Sequence, residues 1–234
     1  MIRLIVSPTV GDAWEMCVRH VLRKGVSVTT EDGEETLETD ELIVKVDNPF
    51  SEPMISTLAP YGSQMFDAYV DQLLNGTNSK FDYDYHGRLF NHPIVSYEWT
   101  YDHLKDNDGW VDRDCGVDQI ADIVETLQRD KQSRRSVAVA WNVGTDGDYA
   151  RQGTCSVPCL QWLQFLIRDG KLQMKVLFRS NDILLAMHAN MYALVHLQKY
   201  VADQLGLPVG SYTHIVTVPH IYVKRDASEL KKWV

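Results

Sequence analysis

The stretch Gln161-Trp162-Leu163-Gln164-Phe165-Leu166-Ile167-Arg168-Asp169-Gly170-Lys171-Leu172-Gln173-Met174-Lys175-Val176-Leu177-Phe178 is two strand-like runs around Asp169-Gly170. An Asp-Gly pair between such runs is a strong signal for a two-residue hairpin turn. With these two residues at the centre of the turn, facing positions sum to 339, so Arg168 meets Lys171. On the same register Cys159 meets Ser180, with Arg179 beside it. Facing Cβ atoms across a strand pair lie roughly 4.5–5.5 Å apart. The hairpin therefore sets a thiol next to a guanidinium, and a nearby cation favours the reactive thiolate. A bulge would move the register by one residue and leave the neighbourhood intact.

Working outward, Met1 to Ser7 reads as a first strand and Gly11 to Lys24 as an amphipathic helix that ends at Gly25. Val26 to Phe50 reads as two strands around Glu31-Asp32-Gly33, and Met65 to Leu74 as a helix stopped by Asn75-Gly76. Residues 76–115 are rich in aromatics and turn formers with weak periodicity, which predicts mostly loop. Val117, Ile120, Val124 and Leu127 have helical spacing, so residues 117–129 are expected to form a helix. Ser136 to Trp141 reads as an apolar strand and Gly144 to Gly153 as a polar loop. Leu194, Leu197, Val201 and Leu205 have helical spacing up to Gly206 and Pro208, and Ile215 to Val218 reads as a strand. No repeat or linker interrupts the chain. The expectation is one α+β domain over residues 1–234, a mixed, mostly antiparallel sheet flanked by helices.

The chain has 234 residues and a formal net charge of −9. That balance argues against a general nucleic-acid-binding role, which needs a basic footprint. The longest apolar runs fall far below the ~20 residues of a membrane span. The first residues lack a signal-peptide pattern, so a cytoplasmic enzyme is expected. The four cysteines are Cys17, Cys115, Cys155 and Cys159. Cys17 falls within a helical apolar pattern and reads as a core residue. Cys155 and Cys159 lack the second ligand pair a zinc site needs, so no metal is expected.

Several of these residues together resemble the thymidylate synthase family. They are Pro158-Cys159, Gln164-Phe165, Arg179-Ser180 followed by Asp182, Asn190, Tyr192-Ala193, Arg134-Arg135 upstream and His220-Ile221-Tyr222 downstream. Order and spacing fit that family from about residue 115 to 226, roughly half the chain. The resemblance implies a methyl transfer to carbon 5 of dUMP, with 5,10-methylene-tetrahydrofolate or a related reduced pterin as donor. It implies Cys159 as the nucleophile at carbon 6, and Arg179 as both a cation for the thiolate and a grip on phosphate with Ser180. Arg134 and Arg135 resemble a pair given across a homodimer to the partner's phosphate. Asn190 would read the pyrimidine edge, because an amide offers a donor and an acceptor together; as a residue type it is also a favoured helix N-cap. Asp182 would contact the base or anchor its loop. His220 and Tyr222, on one face of a strand, would meet the ribose 3′-hydroxyl. Gln164 would support the site by hydrogen bonding, and Tyr85 matches a proton-handling tyrosine.

The sequence also departs from the family. Leu160 follows the cysteine where histidine is usual, and Phe178 precedes the arginine where glutamine is common. The stretch Leu185-Ala186-Met187-His188-Ala189-Asn190 replaces the usual Leu-Gly-x-Pro-Phe-Asn on the pterin side, so a methanopterin-type donor is a candidate. No arginine loop is evident near Thr29-Thr30-Glu31-Asp32, and the family's tail after His-Ile-Tyr is short. The general-acid glutamate has no clear match, and Asp67 and Asp71 are the nearest acidic candidates. The alternative reaction is pyrimidine nucleotide 5-hydroxymethylation. A non-catalytic nucleotide- or RNA-binding relative is a third reading, opposed by the net charge and by the presence of Cys159.

Overall fold

In the computed structural model Asp169 and Gly170 both adopt positive φ, 52° and 71°. This is the type I′ combination that matches strand twist, and glycine takes the second position without strain. The turn joins Leu160–Arg168 to Lys171–Phe178, with Arg168 opposite Lys171 as the spacing predicts. The structure describes residues 2–76, 84–100, 109–153 and 157–233, except the side chains of 94–100 and 109–115.

The described elements follow in chain order. They begin with β1 (Arg3–Ser7), α1 (Val10–Lys24), β2 (Val26–Thr29), β3 (Glu35–Glu38) and β4 (Leu42–Val46). Then come α2 (Ser63–Asn75), α3 (Tyr85–Phe90), β5 (His92–Thr100), β6 (Gly109–Val117), α4 (Gln119–Arg129), β7 (Val137–Val139) and α5 (Asp146–Gln152). The hairpin supplies β8 and β9. The chain continues with β10 (Asn181–Asp182), α6 (Met187–Leu205), β11 (Val209–Val216), β12 (Pro219–Tyr222) and α7 (Ala227–Leu230).

A six-stranded sheet runs β1-β4-β11-β9-β8-β7, and a four-stranded sheet runs β10-β12-β3-β2. In the larger sheet β4–β11, β9–β8 and β8–β7 are antiparallel, whereas β1–β4 and β11–β9 are parallel. The fold is therefore α+β with a mixed, mostly antiparallel sheet, as expected.

Helices cover one face of the large sheet. α1 starts at Thr9, whose side chain accepts from the Asp12 N–H, and buries Trp14, Cys17, Val18 and Val21. The Trp14 indole N–H donates to Ile183 O at 2.6 Å and so ties α1 to the segment before α6. α6 is buried along most of its length and stops at Gly206, which takes the left-handed conformation at φ 65°. The opposite sheet face leaves Leu4, Val6, Val137 and Val139 exposed.

Six sequence expectations are corrected. The 76–115 stretch holds α3 and most of the β5–β6 hairpin; its residues 77–83 and 101–108 lie outside the described residues. The polar 144–153 stretch forms α5, because Asp146 is buried against a cation from α3. Val26 to Phe50 makes three strands, since β4 leaves the small hairpin to join the large sheet. The 136–141 strand is only β7, and the strand expected at 215–218 is longer and earlier, as β11. The hairpin register slips once, between Leu160 and Trp162, so Leu160 faces Phe178. Cys159 accordingly pairs with Arg179, whose N–H donates to Cys159 O at 2.8 Å, and Ser180 is displaced by one position. Cys17 is fully buried, which pushes its thiol up, in keeping with a core role. Cys155 and the Cys115 side chain lie outside the described residues. Among the described residues no helix is long and apolar enough to cross a membrane.

Candidate active site

A cavity of about 1200 Å³ opens where β8, β9, β10 and β12 end beside α2, α3 and the start of α6. Cys159, Arg179, Ser180, Asp182, Asn190, His220, Tyr222 and Tyr85 all line it. The hairpin brings the first three together, and parallel pairing of β10 with β12 sets Asp182 against His220.

Cys159 is half-buried at the head of β8. The Arg179 guanidinium folds over the segment before it, with Nε donating to Pro158 O and Nη2 to Val157 O, both at 3.0 Å. These bonds fix the Pro158-Cys159 backbone. Among the described residues Arg179 has no carboxylate partner, so its charge is left for an anion. Tyr85 approaches from α3, and its hydroxyl accepts the Leu160 N–H at 3.1 Å, one residue from the thiol.

Ser180 Oγ and His220 Nδ1 lie 3.2 Å apart. The His220 and Tyr222 rings meet edge to face at 5.2 Å, as alternation along β12 requires. Burial raises the Tyr222 pKa; the Arg225 guanidinium pulls it down, and the Asp182 and Cys159 charges push it up. Asp182 accepts from the Leu184 and Leu185 N–H groups at 3.1 and 3.0 Å and pairs with Arg225, so it anchors its loop.

Beneath β10 a buried chain runs from Tyr212 through His214 to Asn181. The Tyr212 hydroxyl and His214 Nδ1 lie 2.7 Å apart, and His214 Nε2 and Asn181 Oδ1 lie 3.0 Å apart. His214 also stacks on Phe178 at 4.6 Å. This network holds the Arg179-Ser180-Asn181 segment rigid from below.

Asn190 is not a helix cap. α6 begins at Met187, and Asn190 sits inside its first turn, its N–H bonded to Ala186 O at 2.9 Å. Its side chain is 8% exposed, and its Oδ1 accepts from the Tyr69 hydroxyl at 2.8 Å. His188 turns away into the core. It stacks on Trp14 at 4.6 Å, contacts Met54 O through Nε2, and does not line the cavity. Ala186 is the neighbour that does.

Three expected groups stand apart from the cavity. Asp67 accepts from Tyr192 at 3.2 Å and Asp71 from Asn75 at 2.6 Å, and neither lines the cavity. Arg134 and Arg135 are exposed at the head of β7 and also do not line it. Gln164 Nε2 donates to Arg134 O at 2.9 Å and so positions that pair's backbone.

Sequence reasoning missed Tyr69 and Arg225. Phe66, Tyr69 and Leu73 recur at 3-4 spacing, which places Tyr69 toward the inner face of α2. Arg225 lies over Tyr222 at 3.9 Å and is held by both Asp182 and Asp226. Among the described lining residues the lysine and arginine cations are Arg179 and Arg225, against Glu31, Asp32, Glu38, Asp84 and Asp182. Thr30, Glu31 and Asp32 come from the β2–β3 turn, which therefore meets the cavity with acidic residues. Among the described residues no cluster of three or more His, Cys, Asp or Glu is set to hold a metal ion.

Residues 12–232 match the family described as Thymidylate synthase. Similar relatives carry the name "Putative thymidylate synthase". That of Methanocaldococcus jannaschii is 38% identical over 229 residues, covering 98% of this chain and 95% of the relative. Those of Methanosarcina barkeri and Methanococcoides burtonii are each 33% identical, covering 94% of this chain and 89% of each relative. A match that runs nearly end to end places this chain in the thymidylate synthase family, as an enzyme whose cavity is lined by a half-buried cysteine and Arg179.

Proposed function

We propose that the enzyme converts dUMP to dTMP through a covalent bond from Cys159 to uracil carbon 6. The observation that carries this reading is the convergence of Cys159, Arg179, Asn190 and the His220–Tyr222 pair on one cavity from separate elements. Each matches a different part of a pyrimidine nucleotide: ring carbon, phosphate, base edge and ribose.

Carbon 5 of uracil is a poor nucleophile. Attack of the Cys159 thiolate forms the carbon–sulfur bond at carbon 6 and moves the ring electrons to O4 as an enolate, which makes carbon 5 reactive. Arg179 and Ser180 bind the phosphate, the arginine with a planar fork suited to two oxygens. Asn190 pairs with N3–H and O4, and His220 and Tyr222 bind the 3′-hydroxyl. Tyr85, fixed by the Leu160 N–H, handles the proton lost from carbon 5. The carbon–sulfur bond breaks at the end and returns the thiolate.

The cavity exceeds the roughly 300–1,000 Å³ of most ligand pockets and has room for a second ligand beside the nucleotide. Trp141 and Ala186 add apolar lining. These features fit a reduced pterin, 5,10-methylene-tetrahydrofolate or a relative, which supplies the one-carbon unit and the hydride when bound.

The enzyme acts as a homodimer with shared sites. One chain would bring Arg179 to the phosphate, with no carboxylate partner among the described residues, and Arg225 is already held by Asp182 and Asp226. A dianionic phosphate needs further cations. Arg134 and Arg135 are exposed beside the uncovered sheet face of Leu4, Val6, Val137 and Val139. A second copy seated on that face brings them to its neighbour's phosphate.

Product identification tests the reaction. Incubation with dUMP and methylene-tetrahydrofolate, followed by mass spectrometry, yields dTMP on this reading. A 5-hydroxymethyl product, or conversion of dCMP in preference to dUMP, contradicts it.

A further inference from the structure

Asparagine is an ambiguous reader of a pyrimidine. Its carbonyl and amino groups have nearly the same shape, and a half-turn of the amide exchanges them. In one orientation the carbonyl accepts from uracil N3–H while the amino group donates to O4. In the other the amino group donates to cytosine N3 while the carbonyl accepts from N4–H₂. Selection of uracil therefore requires something that sets the amide's orientation.

Tyr69 is in position to do so. Its hydroxyl meets Asn190 Oδ1 at 2.8 Å, and both residues line the cavity that holds Cys159. A phenol donates strongly and accepts weakly, because its lone pairs are shared with the ring. It favours the amide oxygen over the amino group. The carbonyl oxygen has two acceptor positions, so one can serve Tyr69 and the other uracil N3–H. The carboxylates on α2 offer no substitute, as Asp67 and Asp71 are engaged by Tyr192 and Asn75 away from the cavity. The backbone also resists reorientation, since Asn190 is locked in α6 through Ala186.

We propose that Tyr69 is a specificity-determining positioning residue: by donating to Asn190 Oδ1 it holds the amide in the orientation that reads uracil and disfavours cytosine. This inference rests on the reading of Asn190 as the base-edge residue. It adds a device on α2 that neither the motif residues nor their spacing reveals.

The test compares dissociation constants for dUMP and dCMP by titration calorimetry in four proteins: wild type, Tyr69→Phe, Asn190→Ala and the double variant. Loss of one hydrogen bond corresponds to about three- to tenfold. Tyr69→Phe is expected to narrow the preference for dUMP by that factor, and the change is expected to vanish in the Asn190→Ala background. An unchanged preference in Tyr69→Phe, with an altered one in Asn190→Ala, overturns the proposal and leaves the reading of Asn190 standing. A change that persists in the Asn190→Ala background overturns it as well, because Tyr69 then acts elsewhere. An unchanged preference in Asn190→Ala removes the base-edge reading and this inference together. Tyr69→Phe keeps the ring; circular dichroism checks its fold, and Tyr69→Met is the second variant for the same comparison.

Discussion

At the scale of the residue, the proposed reaction rests on Cys159 and on the groups that would orient a nucleotide around it. Cys159→Ala removes the carbon 6 nucleophile but leaves the phosphate and ribose contacts. Turnover is expected to fall on the order of 10⁴-fold or more, as for other lost nucleophiles, with dUMP affinity by calorimetry nearly unchanged. Retention of a large fraction of activity would show that another group attacks the base. Asn190→Asp turns a donor–acceptor pair into two acceptors, one of which faces uracil O4. Each mispaired buried polar group costs about 1–3 kcal/mol, so kcat/KM for dUMP relative to dCMP is expected to drop by about one to two decades. The meeting of the Pro158-Cys159 and Arg179-Ser180 segments was legible in the sequence because a hairpin is local and Asp169-Gly170 fixes its turn. The position of the one-residue slip was not; it falls at Gln161, whose Nε2 donates to Pro158 O at 3.0 Å. Tyr69 escaped notice because its partner is 121 residues away, a separation that only the fold closes.

At the scale of the element, the clearest failures of sequence reading are α5 and the β5–β6 hairpin. The 144–153 stretch carries no apolar periodicity, so nothing in it signals a helix. α5 owes its position to one ion pair: Arg88 of α3 grips Asp146 with contacts of 3.1 and 2.7 Å, and the side chains are 12% and 1% exposed. Asp146 also accepts the Asn142 N–H at 2.7 Å. Removal of one partner of a buried pair strands the other charge and typically costs about 3–5 kcal/mol. Asp146→Ala is therefore expected to lower the urea midpoint strongly, and replacing both partners by apolar residues is expected to cost less than twice that. A midpoint within experimental error of wild type for Asp146→Ala would contradict the role of the pair. α1, α4 and α6 were legible because their apolar spacing is long and regular. Even there the start of α6 was missed, since Met187 to Ala193 is buried almost all round and shows no amphipathic stripe.

At the scale of the whole molecule, the core holds two neutral imidazoles. Burial pushes His188 down to about 4 and His214 down to about 3. Both stay uncharged in the folded chain while unfolded imidazoles take up protons below about pH 6.5. The unfolded state then binds more protons, so stability falls as pH drops from about 6.5 toward 4, by on the order of 1.4 kcal/mol per unit for each residue. Urea unfolding at pH 7 and pH 5 checks this, and an unchanged midpoint would contradict it. Assembly has its own test: an inactive Cys159 variant mixed with an inactive Arg135 variant under subunit exchange is expected to regain activity, because one hybrid site carries both intact halves. No recovery would mean that each chain completes its own site. The α+β class was readable from motif and spacing, whereas the acidic β2–β3 turn at the cavity emerged only when distant strands paired. The central claim is that Cys159 attacks uracil carbon 6. Its most direct measurement is intact-mass and peptide mapping after incubation with 5-fluoro-dUMP and methylene-tetrahydrofolate. One covalent adduct per chain, on Cys159, is expected; an unmodified chain, or an adduct on another residue, would show that Cys159 is not the nucleophile.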